Sequence, residues 1–494
     1  MGEAHRAGRR AAAARHRSRR GRQTVTPPHT AATPSASTPP PQLERRLSAY
    51  DAAAVVVSNV IGSGILFMPA IVAGMVGNPA ALLAVWLGGG VLAFAGAMAY
   101  AELAALRPRS GGEYVYLREA FGPLAAFLTG WASFVAGFSG AIAATSMGLV
   151  GLLDRFFPGV GNSAPWVSLP LGVVSLSLSP QQLLAIVVIV ALSVVHGLGL
   201  GPGRVVQNAL ALVKVMALVV FVAAGLSIGQ GSVTHFSAAP DATWTLSGLL
   251  LALIPVMFSY SGWNAAAYIA EEVKDPGRNV PRALAMGTIA VVVLFVAMNV
   301  VYLYALDIRA MSSVQVRVVD AAAEVLFGPG AATVLVVVGI FIALGTISAN
   351  IFAGPRVYYA MARDGLFLKA AAQVHPKTQT PLVAIVAQAV WSVLLVLTGT
   401  FAQLVNYTGF TVVLFAGVAV LALFVLRWRE PQAPRPFTAL GYPIAPALFV
   451  VASAAMVVNA IWREPYPSLA GMAILATGVP VYWLFRRTMS ASQA

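Results

Sequence analysis

Between residues 47 and 486 the chain is a succession of long apolar runs separated by short polar segments. The runs show neither the strict alternation of a half-buried strand nor the single apolar stripe of a surface helix. Twelve of them approach the roughly 20 residues that a helix needs to cross a bilayer, and we number them spans 1 to 12: 47–73, 79–103, 122–150, 180–199, 205–228, 246–270, 284–306, 330–354, 381–398, 402–426, 443–461 and 468–486. The pattern predicts an all-α polytopic membrane protein. Composition agrees: 59% of the residues are hydrophobic, 10% are charged and the mean hydropathy is +0.80, more apolar surface than a soluble fold can hide.

Two spans break the pattern at their centres. Span 1 contains Gly62-Ser63-Gly64 with Pro69 behind it, and span 6 contains Ser259, Ser261, Gly262 and Asn264 behind Pro255. Glycine is among the poorest helix residues, and an unpaired backbone group in lipid costs several kcal/mol. A lone GSG would be read as a small-residue packing site. A matching break five spans later points instead to two discontinuous helices framing a ligand, since five spans per repeat inverts the second copy in the membrane. An unwound segment frees N–H groups for an anion at the start of the following half-helix, and carbonyls for a cation. One zwitterion satisfies both breaks.

A third irregularity is Lys214, about ten residues into span 5 and so near mid-bilayer. A lysine there costs about 2.5–3.5 kcal/mol on insertion scales and belongs in a specific interaction inside the bundle.

The other charges sort by side. Sixteen Lys and Arg fall in the segments after even-numbered spans and four in those after odd-numbered spans. This asymmetry places both termini in the cytoplasm. Residues 1–46 hold ten more arginines against Glu3 and Glu44 in a segment nearly free of large apolar side chains. That composition predicts a disordered tail, either solvated or resting on anionic headgroups. Glu102, Glu271 and Glu272, at the ends of spans 2 and 6, read as members of solvated ion-pair networks with the arginines and lysine beside them in sequence. There is no cysteine, which excludes disulfides and thiolate chemistry. No metal-ligand cluster, phosphate loop or nucleophile triad is legible, so neither an enzyme nor a cofactor is expected. Residues 307–329 mix charge with an apolar face, as expected of an amphipathic helix outside the cell.

The chain resembles the amino acid–polyamine–organocation family of permeases, on the side of the bacterial neutral amino acid permeases and L-type exchangers. The resemblance is carried by NVIGSGILFMP (59–69), YAELAALRPRSGGEYVYLREAFGPLAAFLTGW (100–131), QNALALVKVMAL (207–218) and FSYSGWNAAAYIAEEVKDPGRNVPRAL (258–284), with VNYTGF (405–410) and GYPIAP (441–446). It implies a LeuT-type fold of two inverted five-helix repeats, here 47–228 and 246–426, then two further helices in 443–486 and a short cytoplasmic C-terminus, 487–494. It implies that the backbone of Ile61, Gly62, Ser63, Gly64 and Ile65 holds a substrate carboxylate. Phe258, Ser259 and Ser261 would hold its ammonium, with Phe258 also a gate and Trp263 and Asn264 at the pocket edge. Spans 3, 8 and 10 would complete the pocket. Lys214 would stand where sodium-coupled members bind their ion, linking spans 1, 5 and 8 through carbonyls near Gly62 and the hydroxyl of Ser348. As a fixed charge, or as a proton carrier, it would remove any need for sodium.

The expected function is therefore a secondary transporter of an amino acid through the cell membrane of a bacterium, as a proton symporter or an exchanger. No carboxylate lies in the middle of spans 1, 3, 6, 8 or 10, so a neutral substrate is expected by elimination. A cationic amino acid or polyamine antiporter of the same fold, or a membrane sensor that binds an amino acid without moving it, are the alternatives. Animal exchangers of the group join an ancillary glycoprotein through a cysteine, so no such disulfide-linked partner is expected here.

Overall fold

A computed structural model describes residues 43–171, 174–237, 245–315, 317–399, 401–463 and 465–493. The basic tail expected over 1–46 lies outside the described residues up to position 42. Among the described residues nine helices are long and apolar enough to cross a membrane. Span 1 adds a tenth crossing as a bent pair, Ala49–Val60 and Gly64–Val76, inclined by 48°. Leu246–Tyr260 and Leu382–Thr398 are shorter apolar helices at the places of spans 6 and 9. All twelve predicted spans thus have a helix.

Local chemistry sets several helix starts. Ser48 and Asp51 form a reciprocal capping box at span 1, and Ser179 and Gln182 form another at span 4, where Pro180 takes the first turn. Asn78 caps Pro79–Leu106, which is span 2, and Gly77 and Gly399 close helices in the left-handed conformation that suits glycine. Span 3, Pro123–Leu153, carries a π-helical turn at Ser133–Gly137. The carbonyls displaced by this turn are taken by side chains: Tyr358 donates to Ser133 O at 3.1 Å and Trp391 to Val135 O at 2.9 Å. Spans 5, 7 and 8 are Leu200–Ser227, Pro276–Ala305 and Ala331–Arg363.

Two features lie between spans. An antiparallel hairpin, β1 (Val167–Leu171) and β2 (Val174–Leu178), follows span 3 and was not anticipated, although VSLPL and VSLSL alternate with period two. Residues 307–329 form two helices, Ile308–Ser312 and Val318–Phe327, the second burying Val318, Val319, Ala322, Ala323 and Leu326 along one face.

At the arginine-rich end the predicted ion-pair networks exist, but two of them are buried rather than solvated and their partners are distant in sequence. Glu272 pairs with Arg356 of span 8 at 2.7 Å, the side chains being 0% and 2% exposed. Glu102 pairs with Arg427 at 2.6 Å and Arg435 at 3.1 Å. Glu271 holds Arg363 at 3.0 Å. Asp364 holds Arg118, and Arg107 bridges Glu119 and Glu430. The chain before span 1 also pairs with the chain after span 6: Leu47 donates to Glu272 O at 2.9 Å and Lys274 donates to Leu47 O at 2.8 Å.

Candidate functional site

The two broken helices touch at their breaks. A Cβ on Gly64 would lie 2.7 Å from Ser259 Cα, and one on Gly262 would lie 2.9 Å from Asn59 Cβ and 3.0 Å from its carbonyl carbon. Position 64 meets 259 while 59 meets 262, so the segments run antiparallel past each other. Only glycine permits that approach at both points, and Gly262 also adopts φ +99°, a conformation that favours glycine.

Unwinding leaves backbone groups free on each side. Among the described residues, the N–H groups of Gly62, Ser63 and Gly64 find no protein acceptor, and the carbonyls of Ser259 and Ser261 find no protein donor. Donors and acceptors flank one cavity of about 300 Å³ where spans 1, 3, 6, 8 and 10 meet. Gly62, Ser63, Gly64, Phe258, Ser259, Ser261 and Asn264 line it, with Phe258 43% exposed. The π-helical turn of span 3 contributes Ser133, Ala136 and Gly137, span 8 contributes Thr346 and Asn350, and span 10 contributes Thr411 to Val413 and Phe415. Turns of this kind recur at functional sites.

Three of the expected site residues sit elsewhere. Trp263 is buried outside the cavity, edge-on to Tyr100 and Phe449. The Ile65 carbonyl accepts from Tyr302 Oη at 3.2 Å, tying span 7 to the break. The Ile61 carbonyl accepts from Lys214, and its N–H is held by Val57 O. Neither isoleucine lines the cavity.

Lys214 is fully buried and ligated only by neutral oxygens: Ile61 O at 2.9 Å, Ser58 O at 3.0 Å and Thr346 Oγ1 at 3.4 Å. Gly345 makes room for it, since a Cβ there would lie 2.6 Å from Lys214 Cε. The contact on span 8 is thus Thr346 and not Ser348. Ser348 instead donates to Gln207 Oε1 at 2.8 Å and meets His196 Nε2 at 2.9 Å, in a separate buried group between spans 4, 5 and 8.

Sequence reasoning missed Glu113. It belongs to the helix Glu113–Phe121 between spans 2 and 3, yet it is 7% exposed and lines the cavity. Gly111 and Gly112 place it there. Both have positive φ, +110° and +49°, and Gly112 lies so close to the Tyr268 ring that a Cβ would stand 2.6 Å from it. Gly111 also donates to Tyr268 O at 3.0 Å. The carboxylate receives Asn264 Nδ2 at 2.6 Å, Tyr100 Oη at 2.7 Å and Thr129 Oγ1 at 3.4 Å. Among the described residues it has no cationic partner. The signal in the sequence was the SGGE stretch (110–113), where two glycines precede an acid.

Comparison with known proteins gives the family. A family model described as amino acid permease matches residues 47–485. The large neutral amino acids transporter small subunit 2 of Homo sapiens is 31% identical over 460 residues, covering 90% of this chain and 80% of the relative. The b(0,+)-type amino acid transporter 1 of Mus musculus is 29% identical over 451 residues, covering 90% and 88%, and the cystine/glutamate transporter of Homo sapiens is 27% identical over 450 residues. The matched range spans both breaks, and the chain belongs to the amino acid permease family.

Proposed function

We propose that this protein is a secondary transporter that moves a neutral L-amino acid across the cell membrane by alternating access, without sodium, as an exchanger or a proton symporter. The observation that carries the reading is the cavity itself: unpaired N–H groups at the span 1 break face unpaired carbonyls at the span 6 break. The first set receives the substrate carboxylate and the second its ammonium. A cavity of about 300 Å³ suits a small ligand. Each break lies in the first span of one of two inverted repeats, 47–228 and 246–426, that rock against each other, with 443–486 outside them. Both termini lie in the cytoplasm, the arginine-rich end being the inner one, and the source is bacterial. The relative named a small subunit has a larger partner by that name. This chain, lacking cysteine, forms no disulfide with one.

Lys214 takes the place of a bound cation, its ammonium gripping the carbonyls that shape the span 1 break. Lys214→Met keeps the apolar stem and removes the donor. Transport is expected to fall roughly 10- to 100-fold, the equivalent of the 1.5–3 kcal/mol of a hydrogen bond to a charged group, while sodium leaves the wild-type rate unchanged.

The decisive experiment is uptake of a panel of labelled amino acids by proteoliposomes, empty or preloaded with amino acid, under sodium and proton gradients in turn. Uptake confined to preloaded vesicles identifies an exchanger, and proton-driven uptake into empty ones a symporter. Saturable binding without accumulation in any condition favours the sensor and overturns the proposal. Glu113 supports one second reading, a cationic substrate, because the elimination that favoured a neutral one considered only the spans. If a cationic side chain meets this carboxylate, Glu113→Gln abolishes uptake of arginine and lysine and spares that of leucine or alanine. Equal effects on both classes assign Glu113 to holding Asn264.

A further inference from the structure

Span 7 is 30 residues long, about ten more than a crossing needs. Its apolar run begins at Leu284. At ~1.5 Å per residue, Arg282 lies ~3 Å and Arg278 ~9 Å before that point, at headgroup depth. Arg278 and Arg282 are one turn apart and continue a stripe of Met286, Ile289 and Val293, which are 38%, 50% and 63% exposed. That stripe faces lipid. With Arg45, the two arginines border an open groove of about 670 Å³, whose apolar walls include Met98 and Leu440. Met98 lies five residues before the end of span 2, ~8 Å inside the hydrocarbon. The groove therefore opens at headgroup level, with the buried Met98 on its floor and the exposed stripe of span 7 continuing from its arginines.

Most arginines at this end hold a carboxylate, whereas Arg45, Arg278 and Arg282 have none within ion-pairing distance among the described residues. Asp275 is the one carboxylate along the groove. We propose that this groove binds an anionic phospholipid of the arginine-rich leaflet, its phosphate between Arg45, Arg278 and Arg282 and its acyl chains along Leu440 and the stripe of span 7. Basic pockets between transmembrane helices bind acidic headgroups by the same physics.

The test is native mass spectrometry of the full chain, purified in detergent and equilibrated with phosphatidylglycerol or phosphatidylcholine. Wild type is expected to retain phosphatidylglycerol preferentially. The double variant Arg278→Gln/Arg282→Gln should bind it roughly 30-fold more weakly, about 1 kcal/mol for each cation near an acidic surface, with Arg155→Gln and Arg463→Gln unchanged. The basic tail is present in every variant and cancels from the comparison. If the double variant does not purify, Arg282→Gln alone should weaken binding roughly fivefold by the same measure. Equal retention of the two lipids, unaltered retention in the groove variants, or displacement by an equal concentration of glycerol phosphate overturns the proposal.

Discussion

Replacing Arg356 with methionine is expected to destabilise the folded protein by about 3–5 kcal/mol, the loss that follows when one member of a buried ion pair is removed. Glu272 is fully buried, and both its carboxylate oxygens are held by Arg356, at 2.7 and 2.9 Å. Arg356 also donates to Phe352 O at 2.6 Å and lies over the Phe352 ring. The single variant strands a carboxylate where water cannot reach it. The double variant Glu272→Leu/Arg356→Met strands none, and should recover most of the melting temperature in detergent.

Stability and gating separate in that pair of variants. The ion pair ties span 8 to the end of span 6, beside the place where Leu47 and Lys274 join the chain ahead of span 1 to the same point. We expect it to act as a lock on the arginine-rich end, so that the double variant is unlocked even though it is stable. The chain has no cysteine, so Ala144→Cys, on the cavity wall, can report access directly. Labelling by a membrane-impermeant thiol reagent from the arginine-rich side should be slow in the locked protein and at least several-fold faster in both Arg356 variants. Slow labelling in the double variant would reduce the pair to a packing element.

Sequence alone exposed what stands out against an apolar background, and it lost what depends on the third dimension. The two breaks and Lys214 were legible because glycine, serine and lysine are out of place inside a span. Thr346 and Ser348 are two residues apart and point to different sides of one helix, so a hydroxyl for Lys214 could be expected on span 8 without the face being known. Glu113 was invisible for another reason. It follows a loop, and only the positive φ of Gly111 and Gly112 turns that loop back into the bundle. The burial of Glu102 and Glu272 was hidden likewise, because Arg427 and Arg356 arrive from 325 and 84 positions away.

Gly262→Ala should abolish transport, through two separable effects at one atom. At φ +99° an alanine is strained by roughly 1–2 kcal/mol. Its methyl group would also press on Asn59, against both its Cβ and its carbonyl carbon, and overpacking of this kind costs about 1–3 kcal/mol more. Gly64→Ala isolates the second effect. Gly64 is helical, so alanine is no strain there, yet its Cβ would meet Ser259 Cα at 2.7 Å. Both variants force the breaks apart, which displaces the free N–H groups from the free carbonyls across the cavity. Uptake at matched protein amounts should fall about 100-fold or more in Gly262→Ala, as about 3 kcal/mol implies, and at least about fivefold in Gly64→Ala, as about 1 kcal/mol implies. Gly148→Ala, inside span 3 with nothing within 4 Å of the new methyl group, should transport as wild type does. If Gly64→Ala also retains wild-type uptake, the close approach of the two breaks is not what holds the substrate, and the cavity between them is not the transport site.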